Sequence, residues 1–241
     1  GNIYVADVYN QRIQKFNLIG EYITQWTYSN NCDGQFYFPQ DIDSDLFGNV
    51  YVVDSFNNII QKFTSDGVYI TQWGSLGSGN GQFSAPSGIA VDCAGNVYVA
   101  DKGNSRIQKF TLDGVYITQW GSLGSGNGQF SFPIGIAVDS AGNVYVADRF
   151  NNRVQKFTSD GVYITQWGSL GSGNGQFSDP CGIAVDGVGN VYVSDIKNNR
   201  IQKFTSDGEY ITQWGSFGSE NGQFYYPLGI GISALGNIYV A

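Results

Sequence analysis

Residues 142–186 read GNVYVADRFNNRVQKFTSDGVYITQWGSLGSGNGQFSDPCGIAVD, and the same phrase begins at Gly1, Gly48, Gly95, Gly142 and Gly189, with a truncated copy from Gly236. Each step is 47 residues without insertion, so the 241 residues are five full copies and six residues more. A fixed period of this size marks a solenoid, a propeller or a repeat array. One 47-residue unit cannot bury its own apolar surface, so the copies must pack on one another. The length suits one large all-β domain over 1–241.

Within the copy that begins at Gly142, Asn143–Ala147 alternates β-branched, aromatic and small residues as a strand does. A polar loop, Asp148–Asn152, leads to a second alternating run, Arg153–Phe157. Thr158–Gly161 (TSDG) has the composition of a four-residue turn, Asp supplying a local hydrogen bond and Gly the positive φ. Tyr163–Trp167 follows as a further strand. The glycine-rich run Gly168–Gly175 is expected to be a flexible connection ending in an Asn-Gly turn. After Pro180, Gly182–Asp186 (GIAVD) is the fourth strand, and a DxxGN turn leads into the next copy. Four short strands per copy and no helical pattern predict an all-β propeller of four-stranded antiparallel blades. GIAVD, rich in small residues, is expected innermost, and YITQW at the rim. One Trp per copy (Trp26, Trp73, Trp120, Trp167, Trp214) reads as packing between blades.

These residues carry a family resemblance. Asn-Arg-Val-Gln-Lys-Phe after Asp148, set between GNVYVAD and GIAVD, resembles the NHL repeat, and it recurs at the same spacing through the whole chain. Two departures stand out. The residue before the Arg, often His in that family, is Gln11, Asn58, Ser105, Asn152 or Asn199, and Ile59 replaces the Arg itself in the second copy. The resemblance implies a six-bladed propeller. Six blades need about 41 residues more than the chain has, so we expect a six-bladed parent; closure with five blades is the other arrangement. The lack of any Met and the break inside a repeat at Ala241 point the same way, to a piece of a longer chain.

Composition narrows the function. The net charge is −8, and the repeated Lys (Lys15, Lys62, Lys109, Lys156, Lys203) is spread one per copy. Nucleic-acid binders cluster their basic residues, so RNA or DNA is not expected as a partner. Cys32, Cys93 and Cys181 fall at three different places in their copies and read as incidental thiols, not a disulfide framework. There is no His, which rules out His-based triads and His-ligated metals. Enzymes that resemble this fold and depend on His and metal, the peptide-amidating lyase and the streptogramin lyase, are therefore not implied. GSLGSGNGQF has no GK[ST] and no following helix, so it is no phosphate loop. No run is long and apolar enough for a membrane span. The acidic, Lys-poor, Tyr- and Ser-rich composition leans towards an extracellular or cell-surface location.

Differences between copies locate the candidate site. In an up-and-down blade the DxxGN and TSDG turns lie on one face, and they barely change from Gly48 onward. The loop after NVYVAD and the segment around Pro lie on the other face, and there the copies diverge. The residues singled out are Tyr9, Phe56, Lys102, Arg149, Phe150 and Lys197 in the first loop, and Phe38, Phe132, Asp179 and Tyr226 beside Pro. Divergence with aromatics on one face reads as a surface for a protein, peptide or glycan ligand, and equally as drift in unconstrained loops. A second oddity is Asp41-Ile-Asp43-Ser-Asp45, where other copies read GIAVD. Asp41 and Asp43 share one face of an inner strand and could contribute oxygens to Ca²⁺. Three functions follow: a non-catalytic binding or scaffold module, resembling NHL sensor or surface domains; a calcium-dependent hydrolase or lyase; or a structural spacer in a surface protein.

Overall fold

A computed structural model of the chain describes residues 2–27, 34–233 and 235–241. Cys32 lies outside the described residues; Cys93 and Cys181 are reduced thiols. The chain falls into two compact units, Gly1–Gln119 and Trp120–Ala241.

The first unit opens with β1 (Asn2–Asp7), β2 (Arg12–Asn17) and β3 (Tyr22–Trp26), a three-stranded antiparallel sheet. Two four-stranded sheets follow. One is β4 (Pro39–Ser44), β5 (Val50–Asp54), β6 (Ile59–Phe63) and β7 (Tyr69–Trp73); the next is β8 (Ile89–Val91), β9 (Asn96–Asp101), β10 (Arg106–Thr111) and β11 (Tyr116–Trp120). The second unit holds β12 (Pro133–Val138), β13 (Val144–Asp148), β14 (Arg153–Phe157) and β15 (Tyr163–Trp167), then β16 (Pro180–Val185), β17 (Val191–Asp195), β18 (Arg200–Phe204) and β19 (Tyr210–Trp214). A two-stranded ribbon, β20 (Ile230–Ile232) and β21 (Ile238–Val240), closes the chain. Strand order follows the sequence in every sheet, so each is an up-and-down propeller blade. The described residues thus form five blades, four of four strands and one of three, and no sixth blade is completed among them.

Register is uniform between copies. In the fourth blade Val144 pairs with Phe157 and Asp148 with Arg153, and in the fifth Val191 pairs with Phe204 and Asp195 with Arg200. Period-2 alternation puts both faces of the second and third strands under a neighbouring blade, and these strands are buried throughout. The cores accordingly lie between successive blades. In the first unit Tyr51, Val53 and Ile60 of one blade meet Phe83, Ile89, Val97, Val99 and Phe110 of the next. In the second unit Tyr145 and Val154 meet Phe177, Ile183, Val191 and Phe204. The rim Trp stands in this seam as expected: Trp73 lies 6.0 Å from Phe110 and Trp167 5.8 Å from Phe204, ring centre to ring centre.

The turns owe their constancy to specific bonds. Asp139 of DxxGN accepts from the Asn143 and Ala141 amides through Oδ1, and from Asn143 Nδ2 and Tyr145 OH through Oδ2. In TSDG it is the threonine, not the expected aspartate, that closes the turn locally: Thr158 Oγ1 accepts from the Val162 amide at 3.1 Å. The aspartate looks outward to the neighbouring blade, where Lys156 pairs with Asp207 at 3.3 Å.

The glycine-rich run is not the flexible connection its composition suggests. Arg153 pairs with Asp148 at 2.8 Å through Nε and spends its remaining donors on the carbonyls of Ser125, Gly126 and Gln129 and on Gln166 Oε1. Asn151 Nδ2 adds a bond to Gly124 O at 2.9 Å, and Leu123 and Phe130 form a parallel bridge across the loop base. Five donors in a rigid fork fasten a loop whose own side chains cannot.

Candidate functional site

In the second copy Ser55–Asn58 is a plain turn, and in the other four a single 3₁₀ turn follows the Asp that ends the strand, at Val8–Asn10, Lys102–Asn104, Arg149–Asn151 and Ile196–Asn198. Its cap (Gln11, Ser105, Asn152, Asn199) adopts the left-handed conformation, φ 51–53°. Asn tolerates that region best of ordinary residues. Its amide oxygen then does a second task. Asn58 Oδ1 accepts from the Ala85 amide at 2.8 Å, Asn152 from Asp179 at 3.2 Å and Asn199 from Tyr226 at 3.1 Å. Those recipients are the residues before Pro at the start of the following blade. They too have positive φ: Phe38 74°, Ala85 46°, Phe132 65°, Asp179 62° and Tyr226 56°. A pre-proline residue with a side chain ordinarily avoids this region. Ala85, Asp179 and Tyr226 are held there by the Asn of the blade before, and amides of the residue's own blade's loop add to this, as in Ser55 N to Phe38 O (3.1 Å) and Ile196 N to Asp179 O (3.2 Å). The two divergent segments of a blade are therefore one hydrogen-bonded structure.

The second unit gathers five of the expected residues. Phe132 and Phe150 stack with centroids 4.6 Å apart and planes 19° from parallel. The Arg149 guanidinium stands 5.6 Å from the Phe150 ring and 3.4 Å from Asp179 Oδ2, and Lys197 reaches the same oxygen at 3.1 Å. Asp179 is well covered, with 13% side-chain exposure, whereas Lys197 is open at 61%. The result is an aromatic platform beside a carboxylate shared by two cations. Tyr226 lies edge-on to Tyr225 at 4.7 Å, and Tyr225 to Phe217 at 5.7 Å. In the first unit Tyr9 is largely exposed and sits edge-on to Phe38 at 5.8 Å, while Phe56 packs on Tyr37 at 4.8 Å. Lys102 opens its 3₁₀ turn and is half-buried. Tyr37 and Tyr225 are additions to the expected set. They occupy the position that is Ser in three copies (Ser84, Ser131, Ser178), a replacement visible in the sequence.

Asp41 and Asp43 are elsewhere, on β4, and both carboxylates are engaged. Asp41 Oδ2 accepts from the Ile89 amide at 3.0 Å and Asp43 Oδ2 from Val91 at 2.8 Å, while each Oδ1 accepts from the next amide of its own strand. They bridge to β8 of the following blade. Burial pushes Asp41 up to about 7 and Asp43 to about 6, against the amides that favour the ionised form. Other copies hold Gly at the position of Asp41, and there the backbones close up instead: a Cβ on Gly135 would overlap the Cys181 carbonyl oxygen, and one on Gly182 the Leu228 carbonyl. Among the described residues no group of three or more His, Cys, Asp or Glu is placed to hold a metal ion. Two clefts open between successive DxxGN turns, at Asp45–Phe47 with Asp92–Gly95 and at Asp186–Val188 with Ser233, Leu235 and Gly236. Neither is lined by a residue of the divergent segments.

The acids that end NVYVAD are tied down by the Arg five residues further on in four of the copies. Asp7, Asp101, Asp148 and Asp195 each meet their Arg at 2.7–2.9 Å. Asp54, whose copy has Ile59, accepts instead from the Tyr37 amide, Asn57 and Gln61. Burial pushes Asp54, Asp148 and Asp195 above the usual carboxylate range, and hydrogen bonds oppose it.

With this geometry in view, the comparisons with known proteins are decisive for the family. The NHL repeat model matches residues 83–110, 130–157 and 177–204, each running from the phenylalanine that ends a glycine-rich loop to the phenylalanine of a third strand. The chain is an NHL-repeat β-propeller. Among solved structures it is similar to virginiamycin B lyase from Staphylococcus aureus, at 20% identity and TM-score 0.70, over 100% of this chain and 74% of that one. A streptogramin B lyase is similar at 18% identity and TM-score 0.70, over 100% and 87%. A protein of unknown function from Bacteroides thetaiotaomicron VPI-5482 is similar at 22% identity and TM-score 0.72, over 100% and 64%. At these identities the likeness is one of fold. A comparison with curated proteins found no match. Among the described residues no helix is long and apolar enough to cross a membrane.

Proposed function

We propose that the NHL propeller is a non-catalytic binding module that presents the face built from the 3₁₀ turns and pre-proline residues to a protein, peptide or glycan. The observation that carries this is the cluster of Phe132, Phe150, Arg149, Asp179 and Lys197: a stacked aromatic pair, half of it exposed, beside a half-buried carboxylate shared by two cations. Such platforms offer flat apolar area with charge at one edge, which suits a sugar ring or an aromatic side chain next to a polar group. The backbone under it is the same in each copy while the side chains differ, the division expected of a recognition surface on a rigid support.

The competing reading, a hydrolase or lyase using calcium at Asp41 and Asp43, draws on the likeness to lyases. One of those structures is a catalytically inactive variant in which a His is replaced by Ala, with quinupristin. The present chain has no His, and its two acids already accept two backbone amides each, so binding is the better reading. We also read the chain as one propeller domain of a six-bladed parent, with β20 and β21 as the first strands of the sixth blade, and as extracellular or cell-surface.

The test is a glycan and peptide array probed with the wild-type chain, with Phe150→Ala and with Lys197→Ala. Signals that both changes lower at least tenfold support the face; a detected interaction that neither change affects refutes it and leaves the spacer reading.

A further inference from the structure

The glycine-rich loops from Gly74 onward each carry an Asn-Gly pair, and in three of them the following strand is described as well. The two residues of a pair have opposite surroundings: Asn80, Asn127 and Asn174 are exposed, whereas Gly81, Gly128 and Gly175 are half-buried. Each pair forms the corner of a turn. The amides of Gln82, Gln129 and Gln176 donate to the carbonyls of Gly79, Gly126 and Gly173 at 3.1 Å. The three glycines have φ of 74–75° and the Asn residues stay out of the positive region, which is the pattern of a type II turn.

The glycine amide of each corner donates to a glutamine of the following blade. Gln108 on β10, Gln155 on β14 and Gln202 on β18 accept it through Oε1 at 2.9, 2.9 and 3.0 Å. These glutamines have no exposed surface. Their Nε2 atoms are used as well, on the carbonyl of Gln82, Gln129 or Gln176 at 2.7 Å and on the buried Asp of their own blade. The Arg two residues earlier takes the carbonyls at both ends of the same turn, as Arg106 does with Gly79 and Gln82, and Arg200 with Gly173 and Gln176. The corner is thus locked from a strand 27 residues on, while its Asn faces water.

We propose that Asn80, Asn127 and Asn174 are sites of spontaneous succinimide formation that the glutamine of the following strand holds shut, so that each reacts only when its clamp opens. Asn is chemically labile, most of all before Gly, whose nitrogen no side chain shields. The glycine nitrogen gives up its proton to water and attacks Asn Cγ. The new C–N bond closes the ring as the Cγ–Nδ2 bond breaks, and the side-chain nitrogen leaves as ammonia. Water then opens the ring at either carbonyl, giving Asp or isoaspartate and one more negative charge. Closure requires the glycine nitrogen to swing about the Asn Cα–C bond to the side-chain carbon, roughly opposite to where a type II turn holds it. In the folded loop that rotation breaks the bond to the buried glutamine and leaves its Oε1 unpaired, a state that buried polar groups resist. The rate is that of the unrestrained sequence multiplied by the fraction of molecules whose loop is open. The site lies in the glycine-rich loops and is separate from the binding function assigned to the divergent face.

The experiment incubates the 241-residue chain at neutral pH and body temperature, beside a blocked peptide of the sequence of residues 121–131, and follows conversion by peptide mapping and mass spectrometry. Cleavage after Lys and Arg puts the three sites in different fragments, 63–102, 110–149 and 157–197. Each Asn of the folded chain is expected to convert at least tenfold more slowly than the peptide. In the Gln155→Met chain Asn127 alone should accelerate, at least fivefold, while Asn80 and Asn174 keep their slow rate. A Gln202→Met chain should move the same effect to Asn174. Conversion in the unaltered chain less than tenfold slower than in the peptide would overturn the proposal without any variant. So would a smaller acceleration at the site whose glutamine was replaced, or equal acceleration of all three sites, which would place the control in global unfolding and not in the clamp.

Discussion

Replacing Arg153 by Ile, the residue that the second copy carries at this place, tests how the glycine-rich loop and the buried acid are held. Arg153 is 6% exposed and makes five hydrogen bonds, one to the fully buried Asp148 and four to the loop and Gln166. Removing one partner of a buried ion pair costs about 3–5 kcal/mol, chiefly through the charge left behind. Asp148 is not stranded, however. It keeps the Ser131 amide at 2.7 Å, Asn151 at 2.8 Å and Gln155 at 3.2 Å, the same set that serves Asp54 beside Ile59. The loop carbonyls that lose their donors lie near the surface, where water can replace them. We therefore expect the lower end of the range, about 3 kcal/mol, read from urea unfolding at pH 7 by circular dichroism. The sign with pH follows from burial. It already raises the Asp148 carboxyl, and loss of the guanidinium raises it further. A folded-state pKa above the unfolded one contributes stability that is full at low pH and lost as pH rises through the folded value. The deficit of the variant should thus shrink between pH 7 and pH 5. A deficit under about 1 kcal/mol at pH 7, less than one charged hydrogen bond, or one that grows on acidification, would refute this account of the clamp.

Two further predictions concern the inner strands. Gly182→Ala should destabilise by about 2 kcal/mol, as overpacking against backbone does, because its Cβ would collide with the Leu228 carbonyl. Gly187→Ala, five residues on, meets nothing within 4 Å and should be neutral or stabilising by about 0.5 kcal/mol; equal effects on the urea midpoint would discredit the close approach of strands. For Asp41 and Asp43, raised to about 7 and about 6, the native chain should lose stability from pH 5 to pH 8. We expect a loss of about 2 kcal/mol, taken below the full linkage value because both groups are only half-buried. The Asp41→Asn, Asp43→Asn double variant should show a flatter profile, and melting curves with the same pH slope in both proteins would sink the idea.

The blades were legible because their determinants are local. Alternation in Asn143–Ala147 and Arg153–Phe157, and the short-range bonds of Asp139 and Thr158, lie within a few residues of one another, so one copy displays them all. The period carries them to every blade. What was misread acts at a distance. The run Gly168–Gly175 looks mobile by composition, yet Arg200 fixes it from 27 and 28 residues on, through the carbonyls of Ser172 and Gly173. Asp41 and Asp43 resemble metal ligands until their acceptors are filled by amides 48 residues later. The divergent face reads in the sequence as two segments, whereas Tyr37 and Tyr225 show only as a Ser-to-Tyr exchange two residues before Pro. Blade number is hardest to read from sequence, since it depends on how strands are shared between the two ends and no local pattern encodes it.

The left-handed residue before each Pro has an implication for how such a surface changes over generations. At Ala85, Asp179 and Tyr226 a methyl group, a carboxylate and a phenol stand on nearly the same backbone, and in each case an Asn of the preceding blade holds it. The cost of that conformation is met by a neighbour, so the occupant is free to vary. Each such blade thereby lends its successor an interchangeable position, and these positions can be rewritten one residue at a time without disturbing the sheets beneath. Randomising 85, 179 and 226 while keeping Asn58, Asn152 and Asn199 would turn the same property into a scaffold for selecting new ligands.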